Sequence, residues 1–226
     1  MNFLLKYPTR GRRDLFQTQF NRWNGTLSGL HSVSWVISCD NDDHAMADLK
    51  SSPGCLVFFN QPNGKVAACN ANMKEALLAY PETEVVVLVS DDMVPMVRGW
   101  DNEIATLIYR HYPSLDGAIH LNDGLQGLRL ATLSVMGISL YREFGYFYHP
   151  DYLSTYCDKE YTDLIWSNRK VIWYPEIIIE HQWIGDSAPD ELHQFNHSLM
   201  TRDSQVYKRR RELCFPRNSV MDQLSC

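Results

Sequence analysis

The sequence predicts an α/β fold in which a mostly parallel, doubly wound sheet is flanked by helices. Short apolar runs, which are typical of buried strands, alternate with longer segments whose apolar residues recur at helical spacing. Polar turn sequences such as QPNG at 61–64 and NDG at 122–124 close several of the apolar runs. This alternation is typical of parallel strands joined by crossover helices.

The first half of the chain alternates regularly. A strand at 3–7 ends at Pro8, and a helix at 14–23 follows, with Leu15, Phe16, Phe20 and Trp23 near helical spacing. A strand at 33–38 stops at the polar CDNDD, and a strand at 56–60 stops at the QPNG turn. A helix is predicted at 66–80, a strand at 85–90 and a helix at 100–112.

The second half is less regular. A strand is predicted at 116–121, closed by Asn122-Asp123-Gly124, and a strand-like run at 130–137 leads into a short helix at 140–144. A helix at 157–168 precedes strands at 171–174 and 177–180. The segment 192–213 is a polar helix with one predicted break. We therefore expect one domain over residues 1–190 and a helical extension over 191–226 that packs on it.

Length, composition and net charge limit the classes of protein to which the chain can belong. The chain has 226 residues, of which 45% are hydrophobic, enough for a globular core. No apolar run approaches the roughly 20 residues that span a bilayer, and the start lacks a secretory apolar segment. The six cysteines are scattered, as in reduced thiols, so the expected location is the cytoplasm. The net charge of −6 argues against bulk electrostatic binding of nucleic acid.

Polar groups follow several predicted strands at their carboxyl ends, the edge at which such sheets bind ligands. The groups are Pro8-Thr9-Arg10 after the first strand, Asp40 to Asp43 after the second, Asn63-Gly64-Lys65 after the third and Asp91-Asp92 after the fourth. Arginine forks bind phosphate oxygens, and a carboxylate pair binds Mg²⁺ or Mn²⁺. The rim therefore predicts a nucleoside diphosphate held together with a divalent cation.

Two stretches of the chain resemble GT-A glycosyltransferases, which are nucleotide-sugar-dependent enzymes. A buried strand ending in Ser-Asp-Asp resembles their DXD-type metal motif, and NGKVAACNANMKEALLAYPETEVVVLVSDDM resembles the segment around it. The stretch YCDKEYTDLIWSNRKVIWYPEIIIEHQW resembles their later catalytic and metal segment. The signatures PTRGR, DDM-x-P-x-x-x-GWD and GYFYHPDYLSTYCDKE are similar to small bacteriophage-encoded members. The resemblance extends from about Phe3 to Trp183 and implies a GT-A fold, Rossmann-like, with a mixed, mostly parallel sheet in a single domain.

The resemblance also implies roles for individual residues. Donor-binding roles fall on Pro8, Thr9, Arg10, Asp40, Lys65, Asn70, Asn72, Asp91 and Trp183. Asp92 and His181 would hold Mn²⁺ or Mg²⁺. Asp158 stands where inverting members keep the catalytic base, and Glu160 follows it. Cys157 departs from the many members that carry an acid at that position, so retention or inversion stays open.

Several alternatives remain open. Asp91-Asp92 alone could cap the following helix, and Asp158 and Glu160 also suit a helix start. The expected activity is sugar transfer from a nucleoside-diphosphate sugar, with uridine as the expected base. The resemblance to bacteriophage-encoded members implies a hydroxymethylated base in phage DNA, such as 5-hydroxymethylcytosine, as the acceptor, and a saccharide is the alternative. The basic run Lys208–Arg211 would favour DNA. A non-catalytic nucleotide-sugar-binding module and a nucleotidyltransferase are the alternatives from other classes.

Overall fold

A computed structural model describes residues 1–182 and 198–217. Its nine strands in those residues are β1 (Asn2–Pro8), β2 (Ser32–Asp40), β3 (Cys55–Asn60), β4 (Val85–Leu88), β5 (Met93–Pro95), β6 (Ala118–Leu121), β7 (Val135–Gly137), β8 (Val171–Tyr174) and β9 (Ile179–His181). The α-helices there are α1 (Arg13–Gly25), α2 (Gly64–Asn70), α3 (Met73–Ala79), α4 (Trp100–His111), α5 (Ile138–Phe144), α6 (Cys157–Ser167) and α7 (Met200–Glu212).

Seven strands form one sheet in the order β3-β2-β1-β4-β7-β6-β8. The strands β3, β2, β1 and β4 are parallel, as are β6 and β8, while β7 runs antiparallel between β4 and β6. The predicted fold class, a mixed and mostly parallel sheet flanked by helices, is confirmed. Because the four parallel strands share one direction, their carboxyl ends lie along one edge of the sheet.

A hydrophobic core lies on each face of the sheet. Side chains of β1 alternate between the faces, so that Phe3 and Leu5 lie in one core and Leu4 in the other. The first core includes Trp23 of α1 and Trp100 and Ile104 of α4. The second core includes Val66 of α2, Met73 of α3, Leu140 of α5, Tyr161 of α6 and Val206 and Tyr207 of α7. Packing on both faces fixes the strand ends that carry the candidate site.

The structure corrects two predicted elements and adds one that the sequence analysis missed. The helix predicted at 66–80 is divided at Ala71, which is extended (φ −59°, ψ 144°), and Asn72, which is left-handed (φ 63°). The Asn72 side chain accepts hydrogen bonds from Ser38 and Asn60, and this partnership favours the break. Only 135–137 of the run 130–137 is a strand.

The added element is β5, a strand of only three residues that pairs with β9 in a separate two-stranded sheet. The predicted boundary at residue 190 lies outside the described residues. Among the helices that the structure describes, none has both the length and the apolar character needed to cross a membrane.

Candidate functional site

The sheet edge brings together residues that the sequence placed after separate strands. The Thr9 amide donates to the Ser38 carbonyl (3.0 Å), which joins the ends of β1 and β2. The Thr9 hydroxyl and the Tyr7 hydroxyl of β1 both donate to Asp91 Oδ1, at 3.4 and 2.9 Å. Pro8 ends β1 beside Ser38, so the first loop and the acidic pair after β4 form one surface.

Asp91 is a buried carboxylate. Its second oxygen lies 3.9 Å from Arg12 Nη1. Burial raises the pKa of Asp91 to about 6, against the opposing effect of the Tyr7 hydroxyl and the Arg12 guanidinium. Asp91 therefore serves as an acceptor that ties the first loop to the end of β4.

Asp92 lies beside His181, although 89 residues separate them in the chain. The pairing of β5 with β9 places Met93 opposite His181, which brings the imidazole to the acidic pair. His181 Nε2 is 3.3 Å from Asp92 Oδ2, and the Ser90 hydroxyl donates to Asp92 Oδ1. Burial opposes ionisation of Asp92, but the imidazole and the Ser90 hydroxyl lower its pKa to about 2.

His181 also faces a carboxylate that the sequence analysis did not assign to the site. Asp123 Oδ2 is 3.6 Å from His181 Nδ1, and the His181 amide donates to the Asp123 carbonyl (2.8 Å). Burial would lower the pKa of His181, but the carboxylates of Asp123 and Asp92 raise it to about 9. Asp123 lay within a turn motif, so its local sequence gave no sign of a role at the site.

The pair Asp92 and His181 fits a divalent cation. Neighbouring ligand atoms at right angles around an ion with bonds of about 2.1 Å are about 3 Å apart, close to the 3.3 Å observed. Within residues 1–182 and 198–217, no group of three or more His, Cys, Asp or Glu side chains is arranged to hold a metal. A cation on these two ligands would therefore need further oxygens from a ligand such as a diphosphate.

Arg10 and Asp40 contact each other. Arg10 Nη1 donates to Asp40 Oδ2 (2.5 Å) and to Asp42 Oδ1 (2.6 Å), and Nη2 donates to Asp42 Oδ2 (3.1 Å). The two carboxylates raise the pKa of Arg10. The guanidinium of Arg10, which was predicted to bind phosphate, therefore forms its hydrogen bonds with the carboxylates of Asp40 and Asp42 at the end of β2. Asp43 orders the same region by accepting from the Gly11 amide (2.6 Å).

A cavity of about 190 Å³ opens beside Asp40, between the ends of β2 and β3 and helix α2. Its lining includes Ser38, Cys39, Asp40, Asn60, Gln61, Asn63, Ala67, Ala68 and Ala71. Pockets for drug-sized ligands measure roughly 300–1,000 Å³. The cavity is therefore smaller than such pockets, with polar groups on the sheet side and alanines on the helix side.

The remaining predicted donor residues divide into two kinds. Asn72 and Asn70 are engaged by the protein itself: Asn72 accepts from Ser38, and Asn70 Nδ2 donates to the Tyr148 carbonyl (2.6 Å). Lys65 lies in the first turn of α2, where burial would lower the pKa of its ammonium group, but the charges around it, which include Asp158 and Asp92, raise that pKa.

Asp158 and Glu160 have different environments, although both lie in the first turn of α6. Asp158 is partly exposed, and its carboxylate accepts only from the adjacent Lys159 amide (2.8 Å) among the bonds described. Glu160 is buried and receives two hydrogen bonds from Arg210 of α7, at 2.7 and 2.8 Å, and one from the Tyr152 hydroxyl at 2.7 Å. This buried ion pair argues against the catalytic role predicted for Glu160. Trp183 lies outside the described residues.

Comparison with solved structures shows which known fold this is. No protein-family model and no curated protein matches the chain. The structure of residues 1–349 of S. aureus TarS with UDP-GlcNAc matches with a TM-score of 0.60 and 12% identity, over 85% of this chain and 60% of that one. A mannosyltransferase of Pyrobaculum calidifontis with GDP-Man and Mn²⁺ gives 0.59 and 14%, over 82% and 58%. The chain has the GT-A glycosyltransferase fold.

A more distant match has the same fold. Galactosyltransferase 7 of Drosophila, a mutant in complex with manganese, UDP-Gal and xylobiose, gives a TM-score of 0.51 and 13% identity, over 89% of this chain and 79% of that one. At such identities the similarity concerns the fold. The chain spans only 37% of the length of a further TarS structure and 58% of the mannosyltransferase. Within this fold the described residues form both the cavity beside Asp40 and the Asp92–His181 pair.

Proposed function

We propose that this protein is a metal-dependent glycosyltransferase that moves a sugar from a nucleoside-diphosphate sugar to an acceptor hydroxyl. The observation that carries the proposal is the pairing of Asp92 with His181 on the sheet edge that also holds the cavity beside Asp40. Matched structures with the same fold were solved with UDP-GlcNAc, GDP-Man and UDP-Gal, and two of them with manganese.

The donor is proposed to lie along this edge. Its base enters the cavity, where Asp40 offers a carboxylate acceptor, and uridine is the proposed base. Its diphosphate lies toward Asp92 and His181, which would hold Mn²⁺ or Mg²⁺. Asp91, tied to Thr9, is proposed to face the ribose and sugar. Pro8 and Thr9 line the path between them, while Arg10 would have to leave Asp40 and Asp42 before it could contact phosphate.

The bound metal would supply positive charge to the leaving diphosphate. The chain's own groups supply the remaining chemistry. Lys65, whose pKa is raised in part by Asp158 and Asp92, would add positive charge where the phosphate leaves. Asp158 is the proposed general base that takes the proton of the acceptor hydroxyl, because it is the partly exposed carboxylate at the start of α6.

The acceptor is proposed to be a saccharide. A hydroxymethylated base in phage DNA, such as 5-hydroxymethylcytosine, was the acceptor expected from the bacteriophage resemblance and from the basic run Lys208–Arg211. Arg210 of that run is fully buried against Glu160, so the run offers less exposed positive charge than its sequence suggests. The net charge of −6 also disfavours a DNA partner. A cytoplasmic location remains a proposal.

A thermal-shift screen tests donor binding. We expect one nucleoside diphosphate, UDP, to raise the melting temperature in Mn²⁺ and much less in its absence, because a ligand of the native state stabilises by mass action. Asp92→Asn should abolish the part of this rise in melting temperature that depends on Mn²⁺. Asp101→Asn is the matched control, since Asp101 is also buried but bonds the backbone amide and hydroxyl of Ser28.

A second assay separates the enzyme from a binding module. Release of UDP from UDP-sugars, with and without saccharides or hydroxymethylated duplex DNA, reports transfer and identifies the acceptor. Binding without release from any donor would support the module. An absence of Mn²⁺-dependent binding to every diphosphate would contradict the whole proposal.

A further inference from the structure

We propose that Asp123 is the positioning residue of the metal site, which holds the His181 ring so that Nε2 is presented to the cation. The inference rests on the proposed function, because it concerns the cation of the same donor site. The inference goes beyond the proposed function because it assigns a role to a residue in the turn after β6 that would touch neither donor nor metal.

His181 is held between two carboxylates. Its Nε2 lies 3.3 Å from Asp92 Oδ2 on one side, and its Nδ1 lies 3.6 Å from Asp123 Oδ2 on the other. The second distance is slightly longer than a hydrogen bond, and contacts of this kind often tighten when a ligand is bound. The backbone reinforces the arrangement, because the His181 amide donates to the Asp123 carbonyl at 2.8 Å.

The Asp123 carboxylate is itself fixed. Its Oδ1 accepts the backbone amides of Leu125, Gln126 and Gly127 at 3.0, 2.7 and 3.1 Å. Its Oδ2, the atom that faces His181, accepts the Thr132 hydroxyl at 2.7 Å. With only 2% of the residue exposed, this carboxylate cannot turn away from the imidazole without breaking several bonds.

The chemistry of a ligating histidine requires such a partner. An imidazole that gives the lone pair of Nε2 to a cation must carry its proton on Nδ1, and that N–H is usually donated to a carboxylate or carbonyl. Asp123 Oδ2 is the carboxylate oxygen beside Nδ1 in this structure. The turn after β6 therefore selects the tautomer in which His181 can bind metal.

Asp123→Asn is the test. Its amide oxygen can still accept the three backbone amides, but the NH₂ group would then face His181 Nδ1 and donate to it, which favours the proton on Nε2. We expect the dissociation constant of Mn²⁺ from the complex with UDP to rise about 10- to 100-fold, measured by Mn²⁺ electron paramagnetic resonance without turnover. Binding of UDP without metal should stay within about twofold of the unsubstituted protein.

Asp101→Asn is the matched control, because it also replaces a buried aspartate that accepts a backbone amide and a hydroxyl. It should lower the melting temperature of the free protein and leave the Mn²⁺ constant unchanged. If Asp123→Asn does not fold, Thr132→Val becomes the deciding variant. By releasing Oδ2 from its hydroxyl partner, it should weaken Mn²⁺ about three- to tenfold.

The outcomes are distinct. If the Asp123→Asn variant folds and its Mn²⁺ dissociation constant is within twofold of the unsubstituted value, this inference alone is overturned. If Asp123→Asn does not fold, an unchanged Mn²⁺ dissociation constant in Thr132→Val overturns it. If the unsubstituted protein binds no Mn²⁺ with UDP, the proposed function fails and this inference fails with it. Equal weakening in Asp101→Asn would show a general loss of packing and would also overturn it.

Discussion

We expect Arg210 to stabilise the packing of α7 against α6. The guanidinium is fully buried and forms a forked contact with Glu160, through Nε at 2.7 Å and Nη2 at 2.8 Å. A further nitrogen lies 3.2 Å from Asp151 Oδ2, and Nη2 also donates to the Pro216 carbonyl at 2.7 Å. Arg210→Met keeps much of the apolar volume and removes the charge.

The size of the effect follows from what the substitution leaves behind. Glu160 and Asp151 would stay buried with one cation fewer, and Glu160 would keep only the Tyr152 hydroxyl among the bonds described. Removing one partner of a buried ion pair costs roughly 3–5 kcal/mol, because the remaining charge is uncompensated. We therefore expect Arg210→Met to lower the free energy of unfolding by about 4 kcal/mol, a large share of the 5–15 kcal/mol typical of a domain.

Urea unfolding followed by tryptophan fluorescence measures the change. The adjacent Arg209 is a matched control, since its ion pair with Glu212 is solvent-exposed at 3.7 Å and Arg209→Met should change stability by less than about 0.5 kcal/mol. The double variant Arg210→Met with Glu160→Leu should recover part of the loss, because neither buried charge of the pair remains. A loss below about 1 kcal/mol in Arg210→Met would refute the reasoning.

Three further predictions concern catalysis, charge burial and packing. Asp158→Asn should keep donor binding and lower the transfer rate about 10²- to 10⁴-fold, as expected for loss of a general base, and transfer within tenfold of normal would contradict the assignment. Burial lowers the pKa of Lys6 from 10.5 to about 7. Between these pH values the unfolded chain binds more protons than the folded chain, so Lys6 destabilises the fold increasingly as the pH falls, and this destabilisation reaches its full size below pH 7. Lys6→Met should therefore raise the free energy of unfolding by about 4 kcal/mol more at pH 6 than at pH 10.5, and an equal gain at both pH values in urea titrations would argue against it. A Cβ at Gly137 would lie 2.3 Å from the Leu115 carbonyl oxygen, so Gly137→Ala should cost about 3 kcal/mol, whereas Gly25→Ala, with no atom within 4 Å, should cost far less in the same titration.

Local patterns in the sequence were sufficient for most of the sheet. The short apolar run that forms β4 predicted a buried strand, and the polar residues after it marked the place where Asp91 and Asp92 follow. The pattern around 66–80 predicted one helix because its apolar spacing is continuous. The break at Asn72 came from its bonds to Ser38 and Asn60, which belong to other strands.

The sequence by itself determined the α/β class and which polar residues follow which strands, because periodicity and turn chemistry act between near neighbours in the chain. Only the tertiary structure decided which of those residues have partners. Asp158 and Glu160 look alike in the first turn of α6, but Arg210, 50 residues further on, buries one and leaves the other accessible. The sequence around Asp123 indicates only a turn, and the contact of Asp123 with His181 of β9 is visible only in the tertiary structure. Partner choice depends on contacts between distant segments, and no local pattern encodes them.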